Sequence, residues 1–301
     1  MTASTADLPS YIWQADNLQQ ATQGVWHKLG DTVIQATAIT TDTRKIGAGD
    51  VFLAIKGERF DAHDFVKTAQ ENGAVALIVE REVDCDLPQL IVKDTKLALG
   101  DLGKYRRDQH PDLTVVALTG SSGKTTTKEM IGAILSQIAP LLQLSDEHRF
   151  AVMELGANHL GEIAYTANLV RPDVAVVLNI GTAHLGEFGG RANIARAKSE
   201  IYTALHADGV AVLPLSDEFY PTLADEAAKY TEQALSFGEK SIAIDEAGLD
   251  DADCQALKAE GVESVLMMGD LFADDVESFA THCTFTLNTN LDVDDIESLH
   301  V

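Results

Sequence analysis

Short apolar runs alternate with amphipathic segments along the first three quarters of the chain. Runs short enough for buried strands lie at residues 51–55, 74–79, 89–92, 115–118, 151–155, 173–180 and 209–213. Helical patterns are predicted at about residues 64–72, 95–107, 192–204 and 217–235. Strands that alternate with helices indicate a mostly parallel sheet. We therefore predict an α/β fold in which helices flank a mostly parallel sheet.

A change of pattern near residue 108 divides the chain into two predicted domains. Residues 1–108 are typical of a small α/β substrate domain, and residues 109–301 of a central nucleotide-binding domain. Two domains also match the expectation of ~150 residues for each domain. Residues 241–301 are difficult to assign. They show one helical pattern at about residues 250–260, and strand patterns within residues 261–269 and 281–288.

The strongest chemical signal lies at residues 114–130, which read TVVALTGSSGKTTTKEM. An apolar strand, a glycine-containing turn and a helix follow one another here, so that backbone N–H groups and the helix N-terminus can surround an anion. In such a loop Lys124 reaches the β- and γ-phosphates, and the Thr125 hydroxyl reaches Mg²⁺. Leu118 stands where the GxxxxGK[ST] pattern has its first glycine. The alternative is an ordinary strand–turn–helix corner with a surface lysine.

Three further candidates follow later in the chain. Glu154 ends an apolar strand, and ligands gather at the carboxyl ends of strands in open α/β sheets, so we predict a Mg²⁺ ligand there. The alternative role for Glu154 is to cap the next helix. His184 follows the next buried strand at the same predicted edge, although a lone histidine is usually structural. Lys198 lies near Arg196 and Glu200, where a surface ion pair is the simplest interpretation.

Two polar stretches in the first domain could contact a phosphorylated ligand. They are the Thr/Asp/Arg cluster at residues 40–44 and the loop KGERFDAH at residues 56–63. The first contains hydroxyl groups and a cation, and the second contains cations. Asp, Thr and Gly also favour turns for local reasons, so the signal is weak by itself.

Composition limits the classes of function. Hydrophobic residues make up 46% of the chain, the mean hydropathy is −0.01, and no apolar run approaches the ~20 residues that span a bilayer. The N-terminus lacks the basic and apolar regions of a signal peptide. The three cysteines, Cys85, Cys254 and Cys283, are widely separated and form no CxxC pair. We expect a cytoplasmic protein without a disulfide framework or a zinc site.

The charge excludes most nucleic-acid binders. The chain has 47 acidic and 22 basic residues, a net charge of −25, whereas nucleic-acid binding calls for the opposite sign. Residues 241–301 contain fifteen acidic residues and one lysine, which is typical of a solvated acidic surface. We expect a monomer that binds neither nucleic acid nor membrane.

Together these segments resemble the ATP-dependent Mur ligases of peptidoglycan synthesis. The resemblance covers about residues 38–216. Its carriers are TTDTRKIGAGDVFLAIKGERFDAHDF, TGSSGKTTTKEM, AVMELGANHLGEI, VRPDVAVVLNIGTAHLGEFG and ARAKSEI. The motifs ELGANHxGEI and NIGTAHLxxFG favour the member that adds a dipeptide over sister ligases that add a single amino acid.

The resemblance implies roles for matching residues. ATP would be held by the loop residues Gly120, Ser121, Ser122, Gly123, Lys124, Thr125 and Thr126. Magnesium, in two sites, would be bound by Thr125, Glu154, His184 and a carbamylated Lys198. Catalysis would depend on Lys124, Lys198 and His184. The UDP-sugar substrate would contact Thr43, Arg44, Lys56, Asp61, Asn158 and His159.

The reaction implied is the joining of D-alanyl-D-alanine to UDP-N-acetylmuramoyl-tripeptide. The tripeptide's carboxylate would take the γ-phosphoryl group of ATP, and the dipeptide amine would then displace phosphate. Three family features have no match in this sequence: an Asn-rich loop after the P-loop helix, a GxHNxxN motif, and a C-terminal lobe. Two alternatives therefore stay open: a sister ligase with a different acceptor, and a catalytically inert remnant that binds UDP-sugar or ATP.

Overall fold

The computed structural model describes residues 11–57, 60–135, 140–243, 255, 264–268, 270–278 and 283–289. Contacts divide the chain into two compact units. The first comprises residues 1–115 and 130–153, and the second comprises residues 116–129 and 154–301. No helix in the described ranges combines the length and the apolar character needed to cross a membrane.

A five-stranded, mostly parallel sheet forms the centre of the first unit. The described elements are β1 (Trp13–Gln14), α1 (Ala15–Thr22), β2 (Val25–His27), β3 (Gln35–Ala36), β4 (Ile39–Thr40), β5 (Val51–Leu53), α2 (Val66–Glu71), β6 (Ala76–Val79), β7 (Gln89–Ile91) and α3 (Thr95–Asp108). The sheet order is β2-β7-β6-β5-β4, and only β2 runs antiparallel to its neighbour. Strands β1 and β3 form a separate antiparallel pair.

Both faces of this sheet are buried. In β5, Val51 and Leu53 belong to one apolar cluster and Phe52 to another. The same alternation places Ile78 of β6 in the first cluster and Leu77 in the second. Successive strand residues point to opposite faces, so a continuous apolar run is what a sheet covered on both sides requires.

The C-terminal end of α3 contacts the segment that follows residue 140. Arg106 donates from Nη2 to the Leu144 carbonyl at 2.5 Å, and Leu142 packs against the apolar cluster that contains Leu102. These contacts explain why residues 130–153 group with the first unit, whereas the sequence placed everything after residue 108 in the central domain.

A second sheet, of seven strands, is formed by residues from 114 onwards. Its described elements are β8 (Thr114–Thr119), α4 (Lys124–Ile134), β9 (Phe150–Glu154), α5 (Glu162–Val170), β10 (Val174–Val177), α6 (Leu185–Phe188), α7 (Arg191–Ser199), β11 (Val210–Pro214), α8 (Tyr220–Ala227), β12 (Gln233–Phe237), β13 (Glu239–Ala243), β14 (Ser264–Met268), β15 (Leu271–Ser278) and β16 (Cys283–Thr289). The order is β16-β15-β12-β11-β10-β8-β9. Strands β8, β10, β11, β12 and β15 run parallel, β16 is antiparallel to β15, and β13 pairs with β14.

The predicted α/β class with a mostly parallel sheet is confirmed, as are strands within residues 261–269 and 281–288. The single helix predicted over residues 217–235 is wrong, because only Tyr220–Ala227 is α-helical and Gln233–Phe237 is a strand. The sequence QALSF contains no continuous apolar run of strand length, and its pairing with β11 overrides its weak local preference. The helix predicted at 250–260 lies, apart from residue 255, outside the described residues.

Candidate functional site

Two glycines shape the turn between β8 and α4. Gly123 has φ = +78°, and a Cβ built there would meet nothing within 4 Å, so its backbone faces open space. A Cβ on Gly120 would lie 3.0 Å from Leu178 Cβ and 3.2 Å from the Ser122 carbonyl oxygen. Gly120 therefore permits a close backbone approach, and Gly123 provides a left-handed turn directly before Lys124 opens the helix.

The residues between the two glycines are held by the loop after β10. The Ser121 and Ser122 N–H groups donate to Asn179 Oδ1 at 3.0 and 3.1 Å. Asn179 Nδ2 donates in return to the Ser122 carbonyl at 3.1 Å. The Ser121 hydroxyl accepts from the Gly181 N–H at 2.8 Å. Side-chain and backbone groups of residues 179–181 thus hold the predicted phosphate-binding loop.

Lys124 and Thr125 begin α4 with their side chains in polar contacts. Lys124 Nζ donates to the Gly120 carbonyl at 3.0 Å, and the Thr125 hydroxyl donates to Glu154 Oε2 at 2.9 Å. The sequence treated Glu154 as either a metal ligand or a cap of the next helix. The structure places its carboxylate on Thr125, and Thr126 is exposed in the same helical turn.

Glu200 supplies the carboxylate at the start of α5. It accepts from the Gly161 N–H at 2.7 and 2.9 Å and from the Ala164 N–H at 3.2 Å. The surface ion pair considered for Lys198 and Glu200 is therefore wrong. In the described part of the chain, the Lys198 ammonium forms no ion pair, and Lys198 is only 7% exposed. Burial, with a smaller contribution from the positive charge of Lys124, lowers the Lys198 pKa to about 8.

The loop between β9 and α5 is fixed by Glu162. Glu162 Oε2 accepts from the N–H groups of Asn158 and His159 at 2.8 and 3.3 Å, and Oε1 lies 3.2 Å from His159 Nδ1. These hydrogen bonds, that of the Asn158 N–H first, lower the Glu162 pKa despite partial burial. His184 has φ = +60° at the start of α6, and its Nδ1 lies 3.2 Å from Glu187 Oε2.

A cavity of about 260 Å³ brings most of these residues together. It is lined by Gly120, Lys124, Gly156, Ala157, Asn158, Glu162, Ala183, His184 and Lys198. All three predicted catalytic residues, Lys124, His184 and Lys198, therefore share one cavity within the second unit. Lys124 follows β8 and His184 lies in the loop after β10, as expected for an open α/β sheet, whereas Lys198 lies near the C-terminal end of α7.

The chemistry of the site suits magnesium bound together with phosphate. Among the described residues, no group of three or more His, Cys, Asp or Glu side chains is placed to hold a metal ion. Mg²⁺, however, usually takes one or two protein oxygens, with waters and substrate phosphates completing its shell. The Thr125 hydroxyl and the Glu154 carboxylate, in contact beside the phosphate loop, fit this pattern.

The predicted substrate residues of the first unit are engaged in local contacts. Arg44 pairs with Asp42 through Nε at 2.9 Å and Nη2 at 2.7 Å, next to Thr43 in a 3₁₀ turn. The Arg44 side-chain hydrogen bond lowers the Asp42 pKa to about 2. The Arg44 side chain is 86% exposed, so it remains accessible to a ligand.

Asp61 organises the loop that contains Lys56. The backbones of Lys56 and Asp61 form an antiparallel bridge, and the Asp61 carboxylate contacts His63 Nδ1 at 2.5 Å and Arg81 Nη2 at 3.0 Å. Burial acts to raise the Asp61 pKa, but hydrogen bonds from His63 and Arg81 outweigh it and lower the pKa to about 2. Residues 58 and 59 of this loop lie outside the described residues.

Comparison with known families identifies the chain. A model described as "Mur ligase family, catalytic domain" matches residues 35–107, and one described as "Mur ligase middle domain" matches residues 138–269. Together the two models match more than half of the sequence. The chain belongs to the Mur ligase family.

Curated members of the Mur ligase family are similar over much of this chain. UDP-N-acetylmuramoyl-tripeptide–D-alanyl-D-alanine ligase of Escherichia coli is 50% identical over 213 residues, which cover 65% of this chain and 47% of the relative. The Bacillus subtilis protein of the same name is 39% identical over 202 residues, 60% of this chain and 43% of the relative. The chain thus spans about half the length of the curated relatives that it matches.

Solved Mur ligase structures share the fold. A crystal structure of MurF from Acinetobacter baumannii has a TM-score of 0.75 and 47% identity, covering 94% of this chain and 60% of that one. MurF ligase from Thermotoga maritima in complex with ADP has a TM-score of 0.61 and 30% identity, covering 84% of this chain and 56% of that one.

Sequence reasoning missed two polar residues around this candidate site. Asn179 contacts the phosphate loop directly, and Glu200 caps the helix that follows the Asn158 loop. Asn179 could have been noticed, because it is an amide at the carboxyl end of a buried parallel strand. Glu200 gave no such signal, since a glutamate two residues after a lysine on a helix is common.

Proposed function

We propose that this chain acts as an ATP-dependent ligase of peptidoglycan precursor synthesis. It would form the amide bond between D-alanyl-D-alanine and UDP-N-acetylmuramoyl-tripeptide, through an acyl phosphate. The observation that carries this proposal is the cavity in which Lys124 of the phosphate loop, His184 and Lys198 meet. The printed names of the similar curated proteins supply the substrates.

The charges of the cavity suit phosphoryl transfer to a carboxylate. Two anions, the ATP polyphosphate and the substrate carboxylate, must approach each other, and the protein's main task is to position them and neutralise their charge. Lys124 provides a cation in this cavity, in a chain whose net charge is −25, and bound magnesium would provide further positive charge. Amide groups at the start of α4 and the Lys124 ammonium would hold the phosphates.

Magnesium fits the same place. Thr125 and Glu154 would hold one ion, and His184 with Lys198 would hold a second. When bound, Mg²⁺ supplies charge neutralisation at the phosphoryl oxygens. Free lysine has no oxygen to offer a metal ion, so Lys198 requires modification for this role.

The environment of Lys198 favours carbamylation. Only a neutral amine attacks CO₂, and a pKa of about 8 leaves roughly a quarter of the Lys198 side chains neutral at pH 7.5. Attack would form an N–C bond, open one C=O π bond of CO₂ and release one proton from the nitrogen, which leaves a carbamate with a single negative charge shared by its two oxygens. The nearby Lys124 charge would stabilise that anion, whereas it destabilises the ammonium form.

We also propose a division of labour along the chain. Residues 1–108 would bind the UDP-sugar through Thr43, Arg44 and Lys56, with Asp61 ordering the loop. Residues 109–301 would bind ATP, while Asn158 and His159 would contact the UDP-sugar substrate from this second domain. We place the protein in the cytoplasm as a monomer, consistent with its acidic, moderately polar composition.

Measurement of phosphate release, with each reaction component left out in turn, tests the proposed ligase activity. We expect release to require ATP, Mg²⁺, UDP-N-acetylmuramoyl-tripeptide and D-alanyl-D-alanine together. Replacement of D-alanyl-D-alanine by single amino acids tests for a sister activity. ATP binding without substrate-dependent release would instead indicate a protein that binds nucleotide without ligation.

The variant Lys124→Ala tests the role of Lys124 in ATP binding, and Lys128→Ala is its matched control. Lys128 lies one turn later on α4 and pairs with Glu129 at 3.1 Å, away from the cavity lining. We expect Lys124→Ala to lose ATP binding and turnover, and Lys128→Ala to stay within about twofold of wild type, as for surface ion pairs. Unchanged ATP binding in Lys124→Ala would refute the phosphate-loop assignment.

A further inference from the structure

We propose that Asn179 is a positioning residue that fixes the phosphate-binding loop in its ligand-ready shape. The inference rests on the proposed function, because it concerns how the same chain binds ATP. Asn179 does not line the cavity, and its side chain faces the backbone of residues 121 and 122. It would therefore act through the loop and not through direct contact with phosphate.

The Asn179 carboxamide matches the loop backbone as donor and acceptor. Its Oδ1 accepts from two consecutive N–H groups, of Ser121 and Ser122, and its Nδ2 donates to the Ser122 carbonyl at 3.1 Å. The Asn179 carbonyl also accepts from the Ser121 N–H at 3.2 Å. Only a side chain with an acceptor and a donor on one planar group can make this set of bonds.

The position of Asn179 is itself determined by the sheet. The next residue, Ile180, donates its N–H to Asp217 Oδ2 at 2.7 Å, and its carbonyl accepts from Arg191 Nη2 at 2.7 Å. Asp217 follows β11 and Arg191 begins α7, so two further elements fix the backbone next to Asn179. The segment that contains Asn179 is therefore held by two other elements and in turn holds the glycine-containing loop.

This arrangement divides the loop's N–H groups between two tasks. Those of Ser121 and Ser122 are used by Asn179, so the groups left for phosphate begin at Gly123, where the backbone faces open space. Asn179 also connects the loop of Lys124 to the loop of His184, which lies five residues further along. Loss of the carboxamide should free the backbone of residue 122 and leave residue 121 held only by the Asn179 carbonyl and the Gly181 N–H. Binding of phosphate would then have to order this part of the loop, which weakens the binding.

Binding of Mg-ATP and Mg-ADP to the full chain tests this role, measured by calorimetry well below the unfolding temperature. We expect Asn179→Ala to bind both nucleotides roughly ten- to thirtyfold more weakly, from the loss of two to three hydrogen bonds. Asn179→Ser retains a short acceptor and should fall between Asn179→Ala and wild type. In turnover, KM for ATP should rise more than kcat falls.

A stability-matched control separates positioning from general destabilisation. Thr231 donates its hydroxyl to the Gly209 carbonyl in a buried contact of the same unit, away from the cavity lining. Thr231→Val should lower the melting temperature yet bind Mg-ATP like wild type. If Asn179→Ala is unfolded, Asn179→Ser takes its place in the comparison.

The outcomes separate the inference from the proposed function. If wild type binds Mg-ATP and the folded Asn179 variants bind it within twofold, the positioning role is refuted and the function stands. Equal weakening by Thr231→Val would also refute it. If wild type binds no Mg-ATP, the proposed function fails and the inference fails with it.

Discussion

Replacement of Lys198 by methionine should stabilise the ligand-free protein. Lys198 is 7% exposed, forms no ion pair among the described residues, and lies close enough to Lys124 to be affected by its charge. Methionine keeps most of the apolar stem and removes the buried charge. Lys198, which is proposed to take part in catalysis, would thus reduce the stability of the folded chain, as residues of active sites commonly do.

The magnitude follows from the lowered pKa of Lys198. The pKa of Lys198 is 10.5 in the unfolded chain and about 8 in the folded chain. Each pKa unit of difference corresponds to about 1.4 kcal/mol of stability. The upper bound is therefore about 3.5 kcal/mol, and because the cavity is open to solvent we expect about 2 kcal/mol at pH 7. Below pH 8, Lys198 is charged in both the folded and the unfolded chain, so the folded chain is destabilised by the full cost of burying the ammonium group. As pH rises from 8 to 10.5 the unfolded state binds more protons, so wild type gains stability and the advantage of Lys198→Met disappears.

Urea unfolding at pH 7 and at pH 10 measures the effect. The buffers should be free of bicarbonate and nucleotide, so that Lys198 remains unmodified. Lys229→Met is the matched control, because Lys229 is exposed and pairs with Glu226 on the surface. We expect this control to be neutral or slightly destabilising. A Lys198→Met variant less stable than wild type at pH 7, or a difference independent of pH, would refute the reasoning.

Three further expectations concern the same groups. Asp61→Asn should lower the free energy of unfolding by about 1 kcal/mol at pH 7, after allowance for screening by solvent. The difference should disappear as the pH falls from 3.8 to about 2, because the wild-type carboxylate becomes protonated over this range. Urea titrations across this pH range measure the effect. Glu200→Gln should cost about 0.5–1 kcal/mol, because α5 loses a negative charge at its N-terminus, and equal melting temperatures for both proteins would contradict this. With ¹³C-bicarbonate, a carbamate signal should appear in the NMR spectrum of wild type and be absent in Lys198→Met; a spectrum without it, in protein shown to be active, would contradict carbamylation.

Most strands of the fold were predictable from apolar runs. Residues 76–79 and 174–177 lie within continuous apolar stretches, which only a buried strand or helix explains at that length. Strand β12 was not predicted, because its sequence QALSF contains no continuous apolar run. Its strand conformation depends on pairing with β11. The grouping of residues 130–153 with the first unit depends on contacts such as that of Arg106 with Leu144, which link distant parts of the chain.

The candidate site was predictable where one local motif carried the chemistry. Lys124 and Thr125 follow from the strand, turn and helix around them, and Glu154 and His184 follow from their places after buried strands. The state of Lys198 was not predictable. Its neighbours in sequence suggested an exposed ion pair, whereas the folded chain buries it and turns Glu200 towards Gly161.

The sequence by itself determined the α/β class and the strand, turn and helix around Lys124, because hydrophobic period and glycine spacing act over a few residues, and its motifs carried the resemblance to the family. The tertiary structure alone decided which polar groups meet. It placed Asn179 on the backbone of Ser121 and Ser122, and it buried Lys198 beside Lys124. Such contacts join residues from separate strands and helices, and their energies depend on burial and on distance, which arise only when the sheet has formed.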